Sequence, residues 1–126
     1  MPLNCRVLFV DDEPNLLAAL VRTLRKDFEV VTACGAEQGM ACLEQNAFDA
    51  VIADMQMPCM DGIEFLKTVR QLQPGAVRIM LTGNADQTTL RRAVLEAEIA
   101  LFLNKPCSPE SLRDAILETL GRTQAA

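Results

Sequence analysis

Six polar side chains stand where short apolar runs end. Asp11, Asp12 and Glu13 follow Val7-Leu8-Phe9-Val10, and Asp54 follows Ala50-Val51-Ile52-Ala53. Thr82 follows Val77-Arg78-Ile79-Met80-Leu81, and Lys105 comes just after Ala100-Leu101-Phe102-Leu103. Taken singly, an acid after a strand is an ordinary helix cap, and Asp12 or Glu13 could serve that way. Taken together, Asp11, Asp12 and Asp54 would repel and raise one another's pKa unless a cation intervened. Lys105 offsets one of these charges. A hard divalent ion offsets more, and Mg²⁺ takes a few oxygen ligands while keeping several waters. Carboxylates, such an ion, an ammonium and a hydroxyl at one site suit phosphoryl chemistry, which is mostly positioning and charge neutralisation. Asp54 is the candidate nucleophile, forming an aspartyl phosphate. No Gly-x-x-x-x-Gly-Lys-Ser/Thr loop occurs, so ATP is not the evident donor.

These residues meet only if the chain folds to bring them to one edge. The apolar runs, with Phe28-Glu29-Val30-Val31, are too short for lone helices and mostly β-branched. Continuous runs of this kind suit strands buried on both faces of a parallel sheet. Between them, Leu17, Leu20, Val21 and Leu24 recur at helical spacing. So do Ile63, Leu66 and Val69, then Leu90, Ala93 and Val94, then Leu112, Ile116 and Leu120, with a shorter segment around Met40 and Leu43. Asp61 with Glu64 resembles a capping box, and Ser108-Pro109 puts a capping hydroxyl before a first-turn proline. Gln73-Pro74-Gly75 is expected to stop one helix and Gly121 the last. The pattern is strand–helix repeated five times. It predicts a five-stranded parallel α/β sheet, doubly wound with helices on both faces, a flavodoxin-like three-layer sandwich. In such sheets the ligand site lies outside the carboxyl ends of the strands, where the six polar residues fall. One domain over 1–126, with a core of about 5–121, is the expected organisation.

Composition removes several function classes. The 12 basic residues against 17 acidic ones leave a net charge of −5, against the basic face that a nucleic-acid binder needs. Direct nucleic-acid binding is not expected. There is no His, which excludes His-dependent catalysis and His metal ligation, and no Trp or Tyr for base stacking. Five cysteines show no CxxC spacing, which fits thiols in a reducing compartment. No apolar run approaches the roughly 18 residues of a membrane span, and the N-terminus lacks a signal-peptide pattern. A cytoplasmic protein without membrane attachment is expected.

The chain resembles the receiver domains of two-component response regulators, and is similar to single-domain chemotaxis regulators. The likeness rests on Val7-Leu8-Phe9-Val10-Asp11-Asp12-Glu13, Asp54-Met55-Gln56-Met57-Pro58-Cys59-Met60-Asp61-Gly62, Leu81-Thr82-Gly83 and Lys105-Pro106, in order. It implies that Asp54 is the phosphoacceptor, and that Asp11, Asp12, Asp54 and the backbone carbonyl of Gln56 hold Mg²⁺ or Mn²⁺. It implies that Thr82 and Lys105 contact the phosphoryl group, with Phe102 as the switch aromatic. Gln56, Gly83 and Asn84 would flank the phosphoryl group. In the family the peptide bond between Lys105 and Pro106 is cis, fixing that turn.

The resemblance further implies a sensor histidine kinase or phosphotransfer protein as donor. It implies a downstream protein target or fused effector domain as output, and a phosphorylation-dependent homodimer as one assembly. Its own chemistry would be limited to autophosphorylation and autodephosphorylation, without metabolic turnover. The segments around Thr82 and Phe102 look similar to receivers joined to HD-type cyclic-di-nucleotide phosphodiesterases. One rival is a Mg²⁺-dependent phosphatase with an Asp nucleophile. Such enzymes place a second acid two residues on, where this chain has Gln56. A second rival is a receiver that binds partners without phosphorylation. The presence of Asp11, Asp12, Asp54, Thr82 and Lys105 weighs against it.

Overall fold

The apolar runs are continuous because alternate residues feed two different cores. Val7 and Phe9 enter one, and Leu8 and Val10 the other. Ala50 and Ile52 against Val51 and Ala53 repeat the division, as do Ile79 and Leu81 against Met80. The computed structural model describes residues 5–57, 60–83, 86–105 and 107–125, with side chains to residue 121. Its elements are β1 (Arg6–Asp11), α1 (Pro14–Leu24), β2 (Glu29–Cys34), α2 (Ala36–Gln45) and β3 (Ala50–Asp54). They continue as α3 (Gly62–Leu72), β4 (Val77–Thr82), α4 (Gln87–Ala97), β5 (Leu101–Asn104) and α5 (Pro109–Ala125).

All the strands are parallel, in the order β2-β1-β3-β4-β5. On one face Leu17, Leu20 and Leu24 of α1 pack with Leu112, Ile116 and Leu120 of α5. On the other, α3 supplies Ile63, Phe65, Leu66 and Val69, α2 supplies Leu43, and α4 supplies Ala93 and Ala97. Each large side chain so buried contributes about 1.5–3 kcal/mol. The expected five-stranded, doubly wound three-layer fold is present. The central strands β1, β3 and β4 are buried almost throughout, whereas β2 and β5, at the sheet edges, are partly exposed.

The sheet order places the site. The chain leaves β1 for β2 on one side and later enters β3 on the other. The crevice between β1 and β3 is the topological switch point at which such sheets bind ligands. Val10 pairs with Ala53, so the next residues, Asp11 and Asp54, emerge side by side there.

Several local expectations need correction. The second strand runs Glu29–Cys34, beyond the Phe28–Val31 run, and Phe28 is buried just before it. The α4 face differs from the Leu90, Ala93 and Val94 spacing. Ala93 and Ala97 are buried, while Val94 is 47% and Leu95 70% exposed. Gly121 does not stop the last helix, which continues to Ala125. A glycine inside a helix costs about 1 kcal/mol, and the neighbouring Leu120 is buried in the core. Neither Asp12 nor Glu13 caps α1. Glu13 occupies the N-cap position without a side-chain bond, and Pro14 fills the first turn. The other caps hold: Asp61 accepts from the Glu64 N–H at 2.8 Å, and Ser108 Oγ accepts from the Ser111 N–H at 3.1 Å. The α3 helix ends at Leu72, with Gln73 as its C-cap.

Candidate functional site

The acids stand where the sequence put them. Asp11 and Asp54, the last residues of β1 and β3, are 2% and 6% exposed, and Asp12 is exposed beside them. One carboxylate oxygen from each of Asp11, Asp12 and Asp54 falls within 4.8 Å of the other two. Backbone N–H groups hold the buried pair: Glu13 donates to Asp11 Oδ1 at 3.1 Å, and Gln56 to Asp54 Oδ1 at 3.2 Å. Gly62 lets α3 close against the end of β3, because a Cβ there would lie 2.4 Å from the Asp54 carbonyl oxygen. The Gly62 N–H donates to the Met55 carbonyl at 2.8 Å, tying the start of α3 to the turn after Asp54.

Lys105 reaches in from the end of β5. Its Nζ donates to Asp54 Oδ2 at 2.8 Å and lies 3.7 Å from Asp11 Oδ2. Its backbone N–H donates to the Thr82 carbonyl at 2.9 Å, which holds the Lys105 backbone beside the end of β4. Burial alone would lower the ammonium pKa. The bond to Asp54 and the charges of Asp11, Asp54 and Glu13 outweigh it and raise the pKa above the usual lysine value. Asp11 moves upward too: burial disfavours its charged form, and Lys105 offsets that only in part. Among the described residues, Asp11 Oδ2 is the one buried side-chain oxygen or nitrogen without a hydrogen-bond partner. A carboxylate oxygen without a hydrogen-bond donor, beside two other acids and with one ammonium at 3.7 Å, fits a hard cation, and the all-oxygen donor set suits Mg²⁺.

The cleft above these groups measures about 420 Å³ and is lined by Asp12, Glu13, Asp54, Met55, Gln56, Thr82, Gly83 and Lys105. Thr82 is buried, and its Oγ1 donates to Met55 Sδ at 3.4 Å. Phe102 is half-buried and packs against the core on the α3 side, one strand away from Met80. Asp11, Asp12, Asp54, Gln56, Thr82, Gly83 and Lys105 are thus brought together, with Phe102 nearby. Asn84, Pro106, Pro58 and Cys59 lie outside the described residues. Sequence reasoning missed Met55 as the partner of Thr82. Nothing but its adjacency to Asp54 signalled it.

The parallel sheet thus carries an acid cleft at the β1/β3 crevice with a lysine facing it. Residues 7–117 match the response regulator receiver domain family. Over 114 residues the chain is 37% identical to the hydrogenase transcriptional regulatory protein HoxA of Cupriavidus necator, covering 90% of this chain and 24% of that one. It is similar to a CheY-like response regulator receiver domain protein from Methanospirillum hungatei, at a TM-score of 0.90 and 31% identity, with 98% of each chain covered. It is also similar to the signal receiver domain of an HD domain-containing protein from Pseudomonas fluorescens. There the TM-score is 0.89 and the identity 29%, over 98% of this chain and all of that one. The chain belongs to the response regulator receiver domain family of two-component signalling. It spans about a quarter of the length of HoxA and of the transcriptional regulatory protein GlrR of Escherichia coli, two of the curated relatives it matches. Among the described residues, no helix is long and apolar enough to cross a membrane.

Proposed function

We propose that Asp54 is the phosphoacceptor of this receiver, with Asp11, Asp12, Asp54 and the Gln56 carbonyl as the ligands of one Mg²⁺. The observation that carries the reading is the Asp54 carboxylate, buried at a strand end, held by Lys105 on one oxygen and by the Gln56 N–H on the other. An Asp54 oxygen attacks phosphorus of a phosphohistidine on a sensor kinase or phosphotransfer protein. The N–P bond breaks, its electron pair returns to the imidazole, and the new O–P bond makes the acyl phosphate. Bound Mg²⁺ supplies neutralisation of the phosphoryl oxygens. Asp11 and Asp12 hold that charge in register with Asp54. Lys105 moves from the carboxylate to a phosphoryl oxygen, and Thr82 donates its hydroxyl to another. Gln56 and Gly83 line the cleft through which water would later reach the adduct.

The dianionic phosphoryl group replaces the single charge of the Asp54 carboxylate, so roughly one negative charge is added in this cleft, and this biases a two-state surface near Phe102 that faces the target. We read the chain as one folded unit acting in the cytoplasm. Its output is a separate protein or a fused effector, and the likeness to the receiver of an HD domain-containing protein supports an HD-type output as one case.

Incubation with a small acyl-phosphate donor and Mg²⁺, borohydride trapping and mass spectrometry tests the assignment. A single adduct at Asp54, absent in Asp54→Asn and in excess chelator, is expected. Label at Asp11, Asp12 or a serine, or full uptake in chelator, would overturn it. Steady turnover of a generic phosphate ester would favour the phosphatase instead.

A further inference from the structure

Thr82 is a buried hydroxyl whose hydrogen bond goes to a poor acceptor. It is 4% exposed, and its Oγ1 donates to the thioether of Met55 at 3.4 Å. A thioether sulfur accepts weakly compared with a carbonyl or carboxylate oxygen. The Met55 backbone is pinned on both sides. Its N–H donates to the Leu81 carbonyl at 2.8 Å, and its carbonyl accepts from the Gly62 N–H at 2.8 Å. The side chain packs against the same apolar cluster as Phe102 while also lining the cleft beside Asp54. The sulfur thus sits next to Thr82, on the wall between the cleft and the core.

We propose that Met55 is a positioning residue that acts through Thr82: its sulfur holds the hydroxyl in the resting arrangement, weakly enough for an anion on Asp54 to take it. The inference deepens the proposed function and rests on the role given there to Thr82. The resting bond sets the cost of moving the hydroxyl. With no acceptor at position 55, the buried donor is left unpaired at rest and moves more readily. With a strong acceptor there, it is retained.

The test uses beryllofluoride with Mg²⁺ as the phosphoryl mimic and reads its apparent affinity by calorimetric titration. The unaltered chain is compared with Met55→Leu, Met55→Gln, Thr82→Val, and each Met55 variant combined with Thr82→Val. Met→Leu conserves volume closely, and thermal melting checks that each variant folds. Met55→Leu should bind about twofold tighter, less than the roughly fivefold that an ordinary hydrogen bond is worth, because the thioether accepts weakly. Met55→Gln should bind several-fold more weakly. Both differences should vanish when Thr82 is valine. Shifts of the same sign in the two variants, no shift, or shifts that persist without the hydroxyl would overturn the Met55 role. Equal affinity of Thr82→Val and the unaltered chain would overturn the Thr82 role itself, and the Met55 role with it.

Discussion

Residue positions at the acid cleft are fixed by charge and by space, and each can be tested singly. Lys105 carries a raised pKa because its partners outweigh its burial. A base whose folded pKa lies above its unfolded value of 10.5 stabilises the fold fully below that value. That contribution is lost as pH rises through the folded value. The chain should therefore lose stability above about pH 10.5, and Lys105→Met should show less of that alkaline loss. Thermal melts across pH 9 to 12 would check it; identical slopes in the two proteins would count against the coupling. Space decides Gly62. Its absent Cβ would stand 2.4 Å from the Asp54 carbonyl oxygen and 2.8 Å from the Met55 Cα, neither of which is the end of a flexible side chain. Gly62→Ala should cost about 2–3 kcal/mol in denaturant unfolding and should also weaken Mg²⁺ binding, because the strain falls on the strand end that carries Asp54. The acids and Lys105 were legible in the sequence because carboxylates gathered at strand ends repel unless cations meet them. The Thr82–Met55 bond was not, since a methionine next to a strand end reads equally well as core.

Among the elements, α4 is held differently from its neighbours. It buries only Ala93 and Ala97, where α3 buries Ile63, Phe65, Leu66 and Val69. Charge supplies part of the attachment. Arg92 pairs with Glu64 of α3 at 2.9 Å, and Lys67 of α3 approaches Glu96 at 3.7 Å, while Arg92 also pairs with Glu96 within the helix at 3.1 Å. At the far end, Arg70 donates to the Glu96 carbonyl and pairs with Glu98, a residue in the left-handed region at φ 48°. The firmest point is Arg78, buried on β4, which donates to the carbonyls of Ala97 at 2.6 Å and Ala76 at 2.7 Å. This explains why the spacing of Leu90, Ala93 and Val94 misled. A helix docked through alanines and ion pairs shows little apolar periodicity, whereas the cores of α1, α3 and α5 follow theirs closely. The edge strand β2 was misjudged for a related reason, since its partial exposure weakens the apolar signal over Thr32 to Cys34. Arg78→Met should cost about 3 kcal/mol by leaving buried carbonyls unpaired. Exposed pairs are worth about 0–1 kcal/mol each and are screened by salt. Amide exchange in α4 should accordingly quicken between low and 1 M salt more than exchange in α3; equal responses would contradict an electrostatic attachment.

At the scale of the molecule, the outward face of α4 offers apolar side chains to solvent. Leu95 and Val94 are exposed there, on the helix whose hold on the core is weakest. A weakly anchored helix with outward apolar groups is a suitable element for a surface that changes with the state of Asp54. Self-association through this face brings together two copies that each carry a net charge of −5. Their mutual repulsion opposes the apolar gain, and phosphorylation adds further negative charge to each. Any homodimer of the activated form should therefore strengthen with added salt, because screening removes repulsion and leaves the apolar contact. A complex with a basic partner should weaken under the same change. Sedimentation with Mg²⁺ and beryllofluoride at low and moderate salt would separate these cases. The expected result is a shift toward dimer on activation, larger at the higher salt and lost in Leu95→Lys. Activation without change in self-association at either salt would remove the homodimer and leave the α4 face to a different protein.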